Sequence, residues 1–148
     1  MKIKLLSPNA KLPTLGSPFA AAYDLYAAKA CAIEPGQSVS VPTDISIEIP
    51  EGFWGGIYAR SGMAVKRGLR PANAVGVIDS DYRGNIMVAL YNDSDIIQEI
   101  SAGDRIAQLI FHQRISITPD PNGEIWQVAD ELSDTERGSG GFGSTGSN

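Results

Sequence analysis

Between Asp44 and Ile49 the order DISIEI sets Ile45, Ile47 and Ile49 on one side and Asp44, Ser46 and Glu48 on the other. That period of two predicts a half-buried strand with its polar side turned away from the core. The same alternation is present more weakly in KIKLL near the start, in QSVSV from Gln37 and in RISIT from Arg114. Two runs differ, IMVALY from Ile86 and IAQLIF from Ile106, which are apolar on nearly every position. They predict strands covered on both faces, with either a barrel interior or another subunit as the second cover. Turn chemistry separates the runs at Pro35-Gly36, Glu51-Gly52, Arg83-Gly84, Asn92-Asp93 and Pro121-Asn122-Gly123. Many short strands joined by tight turns predict an all-β barrel or sandwich. One short helix is expected, from Ser61 to about Arg67, with Ser61 as its cap. After Glu136 the sequence RGSGGFGSTGSN is Gly and Ser with one Arg and one Phe, a composition that cannot pack a core.

With 148 residues, 43% of them hydrophobic, the chain suffices for one core and leaves little for a second. A formal charge of -5 argues against a protein that coats nucleic acid, so any anionic ligand needs local attraction. Cys31 is the only cysteine, which excludes an internal disulfide and a multi-cysteine metal site and fits a reducing compartment. The opening MKIKLLSPNAK lacks the apolar stretch of a signal peptide, and no segment has the length to span a bilayer. A cytoplasmic location is the expectation.

The chemistry concentrates in NAVGVIDSDYRG, from Asn73 to Gly84. It places a carboxylate, an aromatic ring and two glycines around a turn between apolar runs. A carboxylate there can take a proton from water, a tyrosine can lie against a sugar, and glycine lets backbone approach a ligand. In ARSGMA, Arg60 and Ser61 stand where a strand gives way to the helix and can face one anion, although a surface arginine and a plain cap explain an isolated triplet better. Gln108 sits within an apolar run, where its amide needs a partner in the protein or on a ligand. His112, the single histidine, carries no chemistry in this reading. The tail matches G-x-G-x-x-G twice, but no strand precedes it and no helix can follow, so it is not a dinucleotide fingerprint.

Five segments in order, AAYDL from Ala21, ARSGMA from Ala59, NAVGVIDSDYRG from Asn73, GDRIAQLIF from Gly103 and RGSGGFGSTG from Arg137, closely resemble the trimeric deoxyuridine triphosphate nucleotidohydrolases, the dUTPases. The resemblance implies a jelly-roll-like β barrel over residues 1–129 and a flexible arm over 130–148 that closes on a neighbour's site in a homotrimer. It implies hydrolysis of dUTP to dUMP and pyrophosphate with Mg²⁺, which limits uracil in DNA and supplies dUMP for dTMP synthesis. By the same resemblance Asp79 activates the attacking water and Tyr82 excludes a 2′-hydroxyl. Asn73, Gly76, Val77 and Ile78 would read the uracil edge, while Arg60, Ser61, Gly62 and Gln108 would hold phosphates. Asp24 would bind Mg²⁺ through water, Phe142 would stack on the base, and Arg137, Ser144 and Thr145 would close on the γ-phosphate. The sequence departs from the usual pattern at Ala22 (usually Gly), at Ala59 (often Pro) and at Thr43-Asp44 (usually Thr-Gly). Rival readings are a related dCTP deaminase and a non-catalytic interaction trimer. The first needs a glutamate near the pyrimidine, and no Glu occurs between Gly52 and Glu99.

Overall fold

The computed structural model describes residues 1–115, 125–136 and 138–139, in two units, Met1–Ile115 and Ser116–Asn148. In chain order the first unit holds β1 (Lys2–Leu5), β2 (Thr14–Leu15), β3 (Tyr23–Tyr26), β4 (Cys31–Ile33), β5 (Ser38–Pro42), β6 (Ile45–Glu48) and β7 (Phe53–Tyr58). Then come α1 (Ser61–Arg67), β8 (Leu69–Pro71), β9 (Gly76–Ile78), β10 (Met87–Asn92), β11 (Gln98–Ile100) and β12 (Arg105–Gln113). Every ladder is antiparallel. The largest sheet runs β2-β3-β12-β7-β9, and β1-β6, β5-β10-β8 and β11-β4 form the others. A single cluster of buried apolar side chains lies among them. This is the all-β architecture the turn spacing pointed to, of the jelly-roll-like kind the resemblance implied, with one short helix among the described residues.

Alternation in DISIEI produces β6 as expected, with Ile45, Ile47 and Ile49 all in the core. Its polar side is not left to solvent, however: Asp44 and Ser46 are each 8% exposed because the segment after Asp79 folds over them. Strand β10 buries Val88, Leu90 and Asn92 but leaves Met87 40% exposed, and Ile110 and Phe111 of β12 are half-buried. The second face of these two strands is therefore only partly covered within one chain. Arg114 and Ile115 follow the end of β12, and the rest of RISIT lies outside the described residues.

The helix spans Ser61–Arg67, as predicted, but Ser61 is its first residue and not its cap. Arg60 holds the cap position in an extended conformation and makes no side-chain cap bond, because its guanidinium is drawn away to Asp24. Lys66 and Arg67 in the last turn suit the negative end of the helix, and Arg67 Nε donates to Gln98 Oε1 at 3.0 Å, tying α1 to β11. Gly68 closes α1 in the left-handed region at φ 65, its N–H reaching Ala64 O. A methyl group there would lie 3.0 Å from Ser94 N. Gly68→Ala is expected to lower unfolding free energy by about 1–2 kcal/mol, read in urea denaturation; an unchanged midpoint would contradict this account of the cap.

Candidate active site

Strand β12 runs between β3 and β7, and the register sets Gln108 opposite both Asp24 and Tyr58. Opposed residues share a face of the sheet. Their sequence neighbours Leu25, Leu109 and Ile57 point the other way into the core. Asp24 is 4% exposed, and each of its oxygens has its own guanidinium. Arg60 Nε donates to Oδ1 at 2.9 Å and Arg105 Nη1 to Oδ2 at 3.1 Å. Arg60 Nη1 also donates to the Arg105 carbonyl at 3.1 Å, which locks the two arginines together. Two cations against one carboxylate leave a local positive excess, the attraction an acidic protein needs at an anion site. Ser61 and Gly62 are exposed at the start of α1, following Arg60 directly.

On the other flank of β7, β9 pairs Gly76 with Ile57, Val77 with Gly56 and Ile78 with Gly55. Here Asn73, Gly76, Val77, Ile78, Asp79 and Tyr82 line one cleft of about 270 Å³, together with Ile57 and Met87. That volume is near the roughly 300 Å³ at which small-ligand pockets begin, closer to a base and sugar than to a nucleoside triphosphate. Gly76 is required by space: a Cβ there would come 3.2 Å from Ile57 Cβ and 3.5 Å from Asn73 Nδ2. Ala74 adopts φ 61, and Val75 N donates to Asn73 O at 2.7 Å, so the turn presents its backbone in a strained, fixed form. Asp79 is exposed and its carbonyl accepts from Tyr82 N at 3.2 Å. A larger hollow of about 850 Å³ shares only Asp79 with the expected site. Its mixture of Lys2, Arg83 and Arg114 with Glu48, Glu51 and Asp81 converges on no single ligand chemistry.

The cleft and the arginine row do not meet within one chain. Asp79 follows Ile78, whose partner is Gly55, whereas Gln108 is level with Tyr58 and Arg60 lies beyond it. At about 3.3 Å per strand residue and 4.8 Å between strands, Asp79 and Gln108 are roughly 15 Å apart. Arg137, Phe142, Ser144 and Thr145 lie outside the described residues. Among the described residues no group of three or more His, Cys, Asp or Glu is placed to hold a metal. Asp24 is the only carboxylate in the row among the described residues, and both of its oxygens already face guanidinium groups, so a cation here would be held mainly by phosphate oxygens and water.

Some members of the site escaped sequence reasoning. Arg105 drew no reading from the sequence, and the pairing of β12 with β3 brings it to Asp24. Met87 was read as a strand residue but forms a wall of the cleft. Most informative is the segment before and within β6. Thr43 Oγ1 donates to Ile86 O at 2.6 Å, Asn85 Nδ2 to Asp44 Oδ1 at 2.8 Å and Ser46 Oγ to Arg83 O at 2.8 Å. Three polar side chains thus grip the segment carrying Asp79 and Tyr82.

Fold and site together define an all-β barrel protein with a small ligand cleft on one flank of a central strand and an anion-attracting row on the other. The dUTPase family model matches residues 8–146. The deoxyuridine 5'-triphosphate nucleotidohydrolase of Candida albicans is 48% identical over 149 residues, covering 100% of this chain and 89% of that protein. The structure of a Staphylococcus bacteriophage 80alpha dUTPase with dUPNHPP aligns with a TM-score of 0.86 at 31% identity, covering 99% and 98%. A mutant dUTPase from phage phi11 of S. aureus, described with a structural Mg(II) ion, aligns at 0.77 and 26%, covering 90% and 98%. The chain belongs to the dUTPase family.

Asp44 provides a test of the grip on that segment. The Ser7 hydroxyl, the Asn85 amide and the charge of Lys29 hold its carboxyl below the usual range, and burial opposes them less strongly. A lowered folded value stabilises the protein above the unfolded value of about 4, and the contribution fades as pH falls through the folded value. A melting-temperature gap between the parent and Asp44→Asn is therefore expected at pH 6 and should shrink progressively as pH falls below about 4; a gap that stays unchanged down to the lowest pH at which the parent still folds would exclude this role of the charge.

Proposed function

We propose that this dUTPase splits dUTP into dUMP and pyrophosphate in sites assembled from three copies of the chain, with Asp79 activating the water that attacks the α-phosphorus in line. The observation that carries the shared site is the separation of Asp79 from Arg60 and Gln108 along β7. In-line attack needs the base, the water and the bound phosphate within hydrogen-bonding reach, and a single chain does not offer that. A second copy supplying its own Arg60, Ser61, Gly62 and Gln108 to the first copy's cleft removes the difficulty. The half-covered faces of β10 and β12 give such copies apolar surface to bury.

Within this reading Asn73 and the backbone from Gly76 to Ile78 pair with the uracil edge, where cytosine would leave donors and acceptors mismatched. Tyr82 lies against the deoxyribose and leaves no room for a 2′-hydroxyl. Arg60 and Gln108 hold the phosphates, and Asp24 keeps Arg60 in place until the substrate arrives. Mg²⁺, held by the triphosphate and through water by Asp24, would offset phosphate charge. The arm, through Phe142 on the base and Arg137, Ser144 and Thr145 on the γ-phosphate, closes the site against bulk water. Among the described residues Asp79 is the only carboxylate lining the cleft, which favours hydrolysis over the deamination that requires a glutamate beside the pyrimidine. Clearing dUTP in this way limits uracil in DNA and yields dUMP for dTMP synthesis.

Asp79→Asn is expected to fold, assemble and lose roughly 10²–10⁴ in kcat. Unfolding it together with Arg60→Ala and refolding the mixture should restore roughly a quarter of the parent activity, because some sites then receive both intact residues from different copies. No recovery in trimers shown to be mixed would sink the shared site. Ending the chain before Arg137 should abolish most turnover yet move the melting temperature by only about 2 °C or less; a large loss of thermal stability would contradict the arm's role as a lid.

A further inference from the structure

We propose that Asp44 is a positioning residue for sugar selection: it tethers the Asn85 side chain and, through the Asn85 backbone carbonyl, holds the Tyr82 ring that closes off the ribose 2′ position. The inference rests on the role given to Tyr82 above. Of the three side chains that grip the segment, Thr43 and Ser46 reach backbone carbonyls, whereas Asp44 alone meets a side chain. The Tyr82 hydroxyl in turn donates to the Asn85 backbone carbonyl at 3.0 Å, so residue 85 joins a buried carboxylate, through its side chain, to an exposed ring, through its backbone. Asn85 Oδ1 is buried and finds no partner among the described residues. Among those residues the Nδ2 bond to Asp44 is therefore the one hydrogen bond that holds the Asn85 side chain in place.

The backbone shows what this arrangement costs. Asp44 has φ 52, a left-handed conformation that glycine adopts freely and aspartate only tolerates. This is the position where the sequence departs from the usual Thr-Gly of the family it resembles. A glycine would relieve the backbone and leave Asn85 without its acceptor. Discrimination against a 2′-hydroxyl depends on placing the ring to within about half an ångström, so a loosened turn admits ribonucleotide before it loses the deoxyribonucleotide.

The test compares kcat/KM for dUTP and for UTP in the full-length protein and its variants. Asp44→Gly should lower the dUTP-to-UTP ratio by about tenfold, mainly through faster UTP turnover, and Asn85→Ala should do the same. Asp44→Asn, which tolerates the same φ and still presents an acceptor, should restore the ratio to within about twofold of the parent. A ratio in folded Asp44→Gly within about twofold of the parent, or equal loss on both nucleotides, overturns the proposal. Should the parent itself fail to cleave dUTP, the catalytic reading falls and trypsin decides on the tether alone. Cleavage after Arg83, followed by mass spectrometry, should then be about tenfold faster in Asp44→Gly and unchanged in Asp44→Asn; equal rates in parent and Asp44→Gly would refute it.

Discussion

Strand β7 is the constraint on which the rest depends, because it is hydrogen-bonded on one side to β12 and on the other to β9. Through β12 it fixes Gln108, Asp24 and the arginine pair; through β9 it fixes the cleft and Asp79. Its sequence reflects this double duty. A Cβ on Gly55 would come within 3.1 Å of Leu109 and 3.2 Å of Ile49, and one on Gly56 would meet the Tyr58 ring where it leans toward His112. Glycine normally weakens a strand. Here the two glycines let the core close from one face and the Tyr58, His112 and Trp54 rings pack on the other.

The elements were readable because period-two alternation is a property of each strand alone. Ile45, Ile47 and Ile49 declared β6, and the absence of alternation in IAQLIF declared a strand apolar on both faces, one of which is only partly covered within one chain. What alternation cannot reveal is which object covers a face. Asp44 and Ser46 read as solvent-facing because the segment covering them lies about forty residues further on in the sequence. For the same reason the plain reading of an isolated R-S-G triplet, a solvated charge, did not contain the Arg60 bond to Asp24, whereas the resemblance placed Arg60 at a phosphate. Ser61 fails as a cap because the neighbour's guanidinium bond to Asp24 fixes the cap position on Arg60. The grouping of Asn73 through Tyr82 was visible from the start, since those residues are contiguous and a turn brings contiguous residues together.

Asp24 shows how charge is arranged at the row. Burying a carboxylate to 4% exposure is costly without partners, and pairing with one arginine would leave its second oxygen unsatisfied. With Arg60 and Arg105 both engaged, the acid is satisfied and the cluster keeps a unit of positive charge. Arg60 is 24% exposed and Arg105 50%, so that excess is open to an anion while the acid stays hidden. A chain of formal charge -5 can thereby attract a polyanion at one place. Burial of Ala22 two residues earlier has not displaced Asp24 from this arrangement, so the methyl group replacing the usual glycine is accommodated.

The proposed division of labour across copies rests on these distances more than on any single residue. Moving the arginine row toward Asp79 within one chain would require sliding β12 along β7 by about four residues. Each one-residue slip exchanges the buried and exposed faces of a strand. An even slip restores the faces but would carry Leu109 out of its fit against Gly55 and the bulge near Arg105 out of its place beside β3. The core therefore holds the two halves apart, and in the proposed assembly a partner brings a second row to the cleft without breaking a ladder. On this view the apolar surface left by Met87, Ile110 and Phe111 is the complement of an unfinished site: the same packing that keeps one chain from completing its chemistry leaves the faces by which a second chain can complete it.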